Sequence, residues 1–263
     1  MSTSGPRPID ELLAVMAALR DPERGCPWDL EQSFASLAPY TLEEAYEVVE
    51  AITRDDRAGL CDELGDLLFQ VVFHAEIARA TGAFDFDAVA RGITAKLKRR
   101  HPHVFGGEPR GDRASQARRW EELKHAELRG RSAGLLDDVP LALPALARAA
   151  KLGARAARIG FDWPDAAGAR SKLDEELTEL DAARAGGEAG AVEHELGDLL
   201  LAACNLARHL GVDAEAALRS ANRRFERRFR HVEQRATATG QGSPAQLEEF
   251  WQEAKDAERP TER

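Results

Sequence analysis

The feature that most constrains this chain is an acidic pattern that occurs twice. Glu43-Glu44-Ala45-Tyr46-Glu47 and Glu175-Glu176-Leu177-Thr178-Glu179 share the form EExxE, and ELGD follows each, at 63–66 and 195–198. Glu47 precedes Glu63 by 16 residues and Glu179 precedes Glu195 by the same 16, so the copies stand at a constant offset of 132. Trp120 and Lys124 return as Trp251 and Lys255 at an offset of 131, and Trp28 and Trp163 precede the two acidic runs. A spacing kept over this span implies a tandem duplication, each copy building the same supersecondary unit.

Residues 130–144, GRSAGLLDDVPLALP, mix glycine, proline and small side chains and read as a linker between a unit at 1–129 and a second at 145–263. Within each unit apolar residues recur at three- and four-residue spacing. Helices are expected over 9–20, 40–54, 57–80, 86–100, 115–129, 145–158, 168–184, 190–210, 213–236 and 244–257. Gly82 and Pro102 serve as stops, and Thr41 and Ser171 stand near helix starts as capping residues. The expected fold is all-α, a tandem repeat of two helical bundles.

The formal net charge of -10 argues against a broad nucleic-acid-binding face, which needs a basic surface. No run approaches the roughly 18 apolar residues of a membrane span. The opening MSTSGPRPID lacks the basic-then-apolar layout of a signal peptide, so a cytoplasmic protein is expected. Cys26, Cys61 and Cys204 form no CxxC pair and read as reduced thiols.

Over 57–80 the helical wheel is apolar around most of its circumference, the pattern of a central, buried helix. Its polar positions Glu63, Asp66, Gln70 and His74 share one stripe about 80° wide. The second copy repeats the arrangement around Glu195 and Asp198. Ionised carboxylates taken out of water cost several kcal/mol each unless paired, so two on one buried stripe call for a cation. The EExxE acids repel one another at i,i+3 and i,i+4 by a few tenths of a kcal/mol per pair, a penalty that a bound metal removes. An isolated EExxE is more often a solvated helix face, but its pairing with ELGD, twice at equal spacing, favours a metal site. All-oxygen donors suit Mg2+, with Mn2+ as a substitute, and Mg2+ commonly accompanies a phosphate-bearing substrate. A ferritin-like di-iron bundle would need ExxH pairs, which the ELGD motifs do not supply, and His74 reads as a satisfied polar residue. Gly65 and Gly197 stand inside helices, where glycine costs about 1 kcal/mol relative to alanine, and close helix approach beside the metal would explain both.

Each half also carries a basic helical stretch, Lys96–Arg100 and Arg223–Arg230, able to grip phosphate oxygens. On the second, Arg224 and Arg228 share one face while Phe225 and Phe229 mark another, which also fits solvated arginines flanking a core seam.

The assembled motifs are CPWD at 26–29, PYTLEEAYE at 39–47, ELGDLLFQVVFHA at 63–75, RRHPHVFG at 99–106, IGFDWPD at 159–165, NRRFERRF at 222–229 and WQEAK at 251–255. Together, over nearly the whole chain, they resemble the MazG family of nucleoside triphosphate pyrophosphohydrolases. The resemblance implies MazG-type domains related to the dUTPase-like all-α NTP pyrophosphatases, assembled as a homodimer or higher oligomer. It also implies broad, Mg2+-dependent hydrolysis of NTPs or dNTPs to the monophosphate and pyrophosphate.

Carried over by motif, Glu176, Glu179, Glu195 and Asp198 would bind metal, and Glu44, Glu47, Glu63 and Asp66 form the equivalent first-half set. Glu175 and Glu43 would orient the attacking water. Lys172, Arg224, Arg228 and Lys255 would contact phosphates, with Trp251 near base or ribose; Lys96, Arg100, Trp120 and Lys124 are the first-half counterparts, and Tyr40 replaces the lysine. Phe34 stands where family members often have histidine, and Gly186–Gly190 where a basic residue is common. Two other readings are a narrow house-cleaning pyrophosphatase for a non-canonical nucleotide, which a turnover panel would separate, and a metal-dependent nucleotide sensor, marked by tight binding without pyrophosphate release.

Overall fold

In a computed structural model of the protein, residues 5–113, 115, 116, 119, 120, 123, 134–240 and 242–258 are described, and every regular element among them is helical. The chain divides into two compact units, residues 1–126 and 127–263. Most of the helix expected over 115–129, Lys124 included, and residues 130–133 of the expected linker lie outside the described residues.

In the first unit, α1 (Pro8–Leu19) and α2 (Pro27–Glu31) lead into α3 (Phe34–Arg54) and α4 (Arg57–Ala80), and α5 (Phe86–Arg100) and the short α6 (Pro102–Phe105) follow. Only Asp55 and Asp56 join α3 to α4. Asp55 takes a left-handed φ of 54°, and the Asp56 carboxylate accepts the Gly59 N–H as the N-cap of α4. So short a link makes the two helices antiparallel neighbours. Met16, Leu37, Val72, Phe73 and Ile77 form the core between α1, α3 and α4.

Helix α3 begins at Phe34, earlier than expected, because Ser33 and Ser36 form a reciprocal capping box. Pro39 is accommodated inside it, forgoing one intrahelical bond in the second turn. Thr41 is therefore no cap: its hydroxyl donates to the Leu37 carbonyl and lies 3.0 Å from His74 Nε2. That contact satisfies His74 as the stripe suggested.

In the second unit, α7 (Ala145–Ala156) continues into a 3-10 turn at Ala157–Ile159. Helices α8 (Ala166–Gly186) and α9 (Ala189–His209) form the corresponding hairpin, joined through Gly187, whose φ is 77°, and Glu188. Asp165 caps α8 by accepting from Ala167 and Gly168 N–H groups, which places Ser171 inside the helix rather than at its start. Helix α7 packs on α9, and α10 (Ala214–Thr239) pairs with α11 (Pro244–Ala257). Asp162 fastens the loop before α8 to the end of α9, accepting from Arg208 at 2.8 and 2.5 Å with His209 Nε2 at 2.9 Å.

Two expectations about the ELGD helices need correction. Leu64, Leu68 and Val71 of α4 and Leu196, Leu200 and Leu201 of α9 are exposed, so neither helix is covered on all sides. The other helices of each unit cover only part of a helix that is apolar around most of its girth. Gly65 and Gly197 likewise meet no close neighbour: a Cβ at either would find nothing within 4 Å.

Candidate metal centres

The hairpins bring the two acidic motifs of each unit face to face. In the first unit, Glu44 and Glu47 of α3 and Glu63 of α4 place carboxylate oxygens within 4.8 Å of one another. In the second, Glu176 and Glu179 of α8 and Glu195 of α9 do the same. Spacing alone explains why. Residues three apart share a helix face, and antiparallel pairing sets that face against the start of the next helix.

Asp66 belongs to no such trio among the described residues, although its charge acts on both Glu44 and Glu63. Burial, then Asp66 and Glu47, hold the Glu44 carboxyl above the ordinary carboxylate range. Glu63 is raised by loss of solvent and then by Glu47 and Asp66. Glu179 is raised by the same loss of solvent, with Lys172 opposing it and Glu176, Glu175 and Glu195 adding to it. Like charges crowded in this way repel one another, a penalty that a bound divalent cation would offset.

Glu176 decides whether the second set fits a cation. Only 4% exposed, it pairs through Oε1 with Lys172 Nζ at 2.7 Å, while its Oε2 is buried with no hydrogen-bond partner. A buried, unpartnered carboxylate oxygen beside two further carboxylates is the donor arrangement a hard cation takes. Lys172 Nζ also lies 2.6 Å from Glu175 Oε1, and the two carboxylates hold its ammonium above the ordinary lysine range. The first unit has Tyr40 there, exposed and edge-on to Trp28.

Asp198 joins a different set, with Glu195 and His194. His194 was not singled out from the sequence. Its only signal is positional: it precedes the second ELGD at the offset where the first copy has Asp62.

The basic residues form a second shared arrangement. The Arg100 guanidinium lies 5.1 Å from the Trp120 ring centroid, and Arg228 lies 5.8 Å from that of Trp251, so each copy stacks an arginine on its repeated tryptophan, although the two arginines are not at equivalent repeat positions. His101 packs on Trp120 and Phe225 on Trp251. Arg228 donates to Glu258 at 2.9 and 2.7 Å, an acid that no motif flagged, and this pairing holds Glu258 below the ordinary carboxylate range. Arg224 donates to Ser220 Oγ at 3.1 Å. Phe225 and Phe229 stack in parallel yet stay exposed, so they are not a core seam within the unit. Lys96 lies on α5 and Lys255 on α11. Glu43 and Glu175 are exposed beside their trios.

The three cysteines are free, and no helix among the described residues is long and apolar enough to cross a membrane.

An all-α repeat with a carboxylate trio in each hairpin and an arginine stacked on a tryptophan defines a class able to hold a metal ion and grip an anionic ligand. A profile of the MazG nucleotide pyrophosphohydrolase domain matches residues 32–105 and 167–233, once in each unit. The nucleoside triphosphate pyrophosphohydrolase of Escherichia coli (strain K12) is 49% identical over 257 residues, spanning 95% of this chain and 98% of that protein. The nucleoside triphosphate pyrophosphohydrolase/pyrophosphatase MazG of Thermotoga maritima is 42% identical over 251 residues, spanning 94% and 95%. A crystal structure of a mazG-related protein from Thermotoga maritima aligns with 44% of this chain and 98% of its own at 27% identity, with a TM-score of 0.38. The chain belongs to the MazG nucleotide pyrophosphohydrolase family and is a hydrolase of that class.

Proposed function

We propose that the protein hydrolyses nucleoside triphosphates, NTPs and dNTPs alike, to the monophosphate and pyrophosphate with Mg2+ as its metal. The observation that carries this reading is the buried, half-unpartnered Glu176 within a trio of carboxylates. Glu176, Glu179, Glu195 and Asp198 would hold the metal in the second unit, and Glu44, Glu47, Glu63 and Asp66 in the first. When bound, the ion offsets the negative charge of the phosphate oxygens and makes a water molecule more acidic.

The chain's own groups do the rest. Glu175, beside Glu176 and paired with Lys172, orients the attacking water and takes its proton; Glu43 occupies the corresponding place in the first unit. The water oxygen forms a bond to the α-phosphorus while the bond from that phosphorus to the bridging oxygen breaks, and pyrophosphate leaves. Lys172, Arg224, Arg228 and Lys255 neutralise phosphate oxygens, and Trp251 lies along base or ribose. Lys96, Arg100 and Trp120 act likewise in the first unit, together with Lys124, which lies outside the described residues. Arg228 must exchange Glu258 for phosphate, a swap of one charge-assisted bond for another.

A homodimer or higher oligomer fits the exposed leucines of α4 and α9 and the two helical glycines with open space before them. The free thiols support a reducing, cytoplasmic setting.

Pyrophosphate release across a panel of NTPs and dNTPs, with Mg2+ or with EDTA, tests the proposal. Full turnover in EDTA, or in a Glu63→Gln/Glu195→Gln double variant, would overturn the mechanism.

A further inference from the structure

We infer that His194 is a nitrogen ligand at the second unit's acidic cluster, defining with Glu195 and Asp198 a cation position that favours Mn2+-like transition ions over Mg2+. The inference rests on the metal-binding reading above and extends it to a residue outside the acidic motifs.

Three observations carry it. His194 Nδ1 stands 3.2 Å from Asp198 Oδ2 and 3.6 Å from Glu195 Oε1. Adjacent donors on a six-coordinate ion with bonds of about 2.1 Å are roughly 3 Å apart, so the separation from Asp198 is close to an edge of a coordination octahedron and that from Glu195 is longer. Glu195 is also shared with Glu176 and Glu179, so the nitrogen extends an existing carboxylate set instead of standing alone. Finally, the trio joined to His194 through Glu195 contains the buried Glu176 carboxylate, whose Oε2 has no hydrogen-bond partner and is an open donor in that adjoining trio. Imidazole nitrogen suits transition ions and is a poor donor to Mg2+, which takes oxygen. The first unit has Asp62 at this position and so offers oxygen only.

The inference gives the two units different metal preferences. His194 is 73% exposed in its side chain, so substitutions there leave the fold intact.

The test uses the full chain carrying Glu63→Gln to weaken the first trio, with Mn2+ as the probe followed by electron paramagnetic resonance. The bound Mn2+ should show nitrogen spin-echo modulation that disappears in His194→Gln, and Mn2+ affinity should fall about tenfold while Mg2+ affinity holds within about twofold. His194→Asp should bring the Mn2+-to-Mg2+ preference down by a similar factor. Mn2+ bound through Glu195 with no His194-dependent nitrogen signal would overturn the inference, leaving a simple surface pair of His194 with Asp198, and would leave the metal site standing. Failure of Mn2+ and Mg2+ to bind at all, with Glu195→Gln unchanged from its parent, would overturn both.

Discussion

Lys172 Nζ sits 2.7 Å from Oε1 of Glu176, a cation set against the most buried carboxylate of the second trio. In the absence of metal this lysine is the internal counter-charge of the cluster, and the Tyr40 phenol cannot take that part in the first unit.

Replacing Lys172 with methionine should therefore lower the melting temperature of the metal-free protein and enlarge the gain in melting temperature on adding Mg2+. Calorimetry with EDTA and with saturating Mg2+ measures both. An unchanged metal-free melting temperature would show that the ammonium does not compensate Glu176.

Neutralising one member of a trio should separate binding from folding. Glu195→Gln removes a like charge from a crowded set, so the EDTA-treated variant should melt no lower than the parent. Its second-unit metal affinity should fall by at least about 100-fold, the upper end of what losing a mere partner of a ligand costs. The double variant with Glu63→Gln should release no pyrophosphate while keeping its helical circular dichroism.

The acid clusters and the ion pairs should respond to pH in opposite directions. Glu44, Glu63 and Glu179 are held above their ordinary value of 4.5, so the folded, metal-free protein keeps those protons more firmly than the unfolded chain. Their contribution is fully present below 4.5 and is lost as pH rises through the folded values. Metal affinity should rise over the same range, because metal and proton compete for the same oxygens.

Asp162 behaves in the reverse sense, since Arg208 and His209 hold its carboxyl well below the ordinary 3.8. Its contribution is present above 3.8 and is lost as pH falls. Asp162→Asn should cost about 2 kcal/mol at neutral pH, the scale of charged hydrogen bonds lost at a part-buried site. It should also flatten the acid limb of the stability profile in urea titrations.

Two glycine substitutions should diverge. A Cβ at Gly168 would lie 2.9 Å from the Trp163 ring, so Gly168→Ala should destabilise by about 1–3 kcal/mol as the indole is pushed aside. Gly197 faces open space within its unit. Gly197→Ala should gain up to about 1 kcal/mol of helix propensity in dilute protein. Equilibrium sedimentation should show weaker self-association in that variant if the α9 face meets a second copy.

Local patterns were the most legible part of the chain. The helices over 57–80, 86–100 and 244–257 fall where periodicity put them, because each has a strong stop or cap within a residue or two of its ends: Asp56, Asp85 and Ser243 at the starts and Thr81-Gly82 and Pro102 beyond two of the ends. Helix α3 starts earlier because the Ser33–Ser36 box caps it ahead of Thr41, with Pro39 accommodated inside. The acidic trios were legible for the same reason, since equal spacing on helices joined by short links brings the same residues together twice.

The sequence by itself determined the duplication, the helical class and which acids share a face, all of which depend on spacing along the chain. Only the tertiary structure decided the partners: Glu258 for Arg228, His194 for Asp198, Lys172 for Glu176, and open space before Gly65 and Gly197. Even the pairs within one helix depend on rotamer and surroundings, and the rest depend on how neighbouring helices are rotated and how much of each the others cover, quantities that periodicity does not contain.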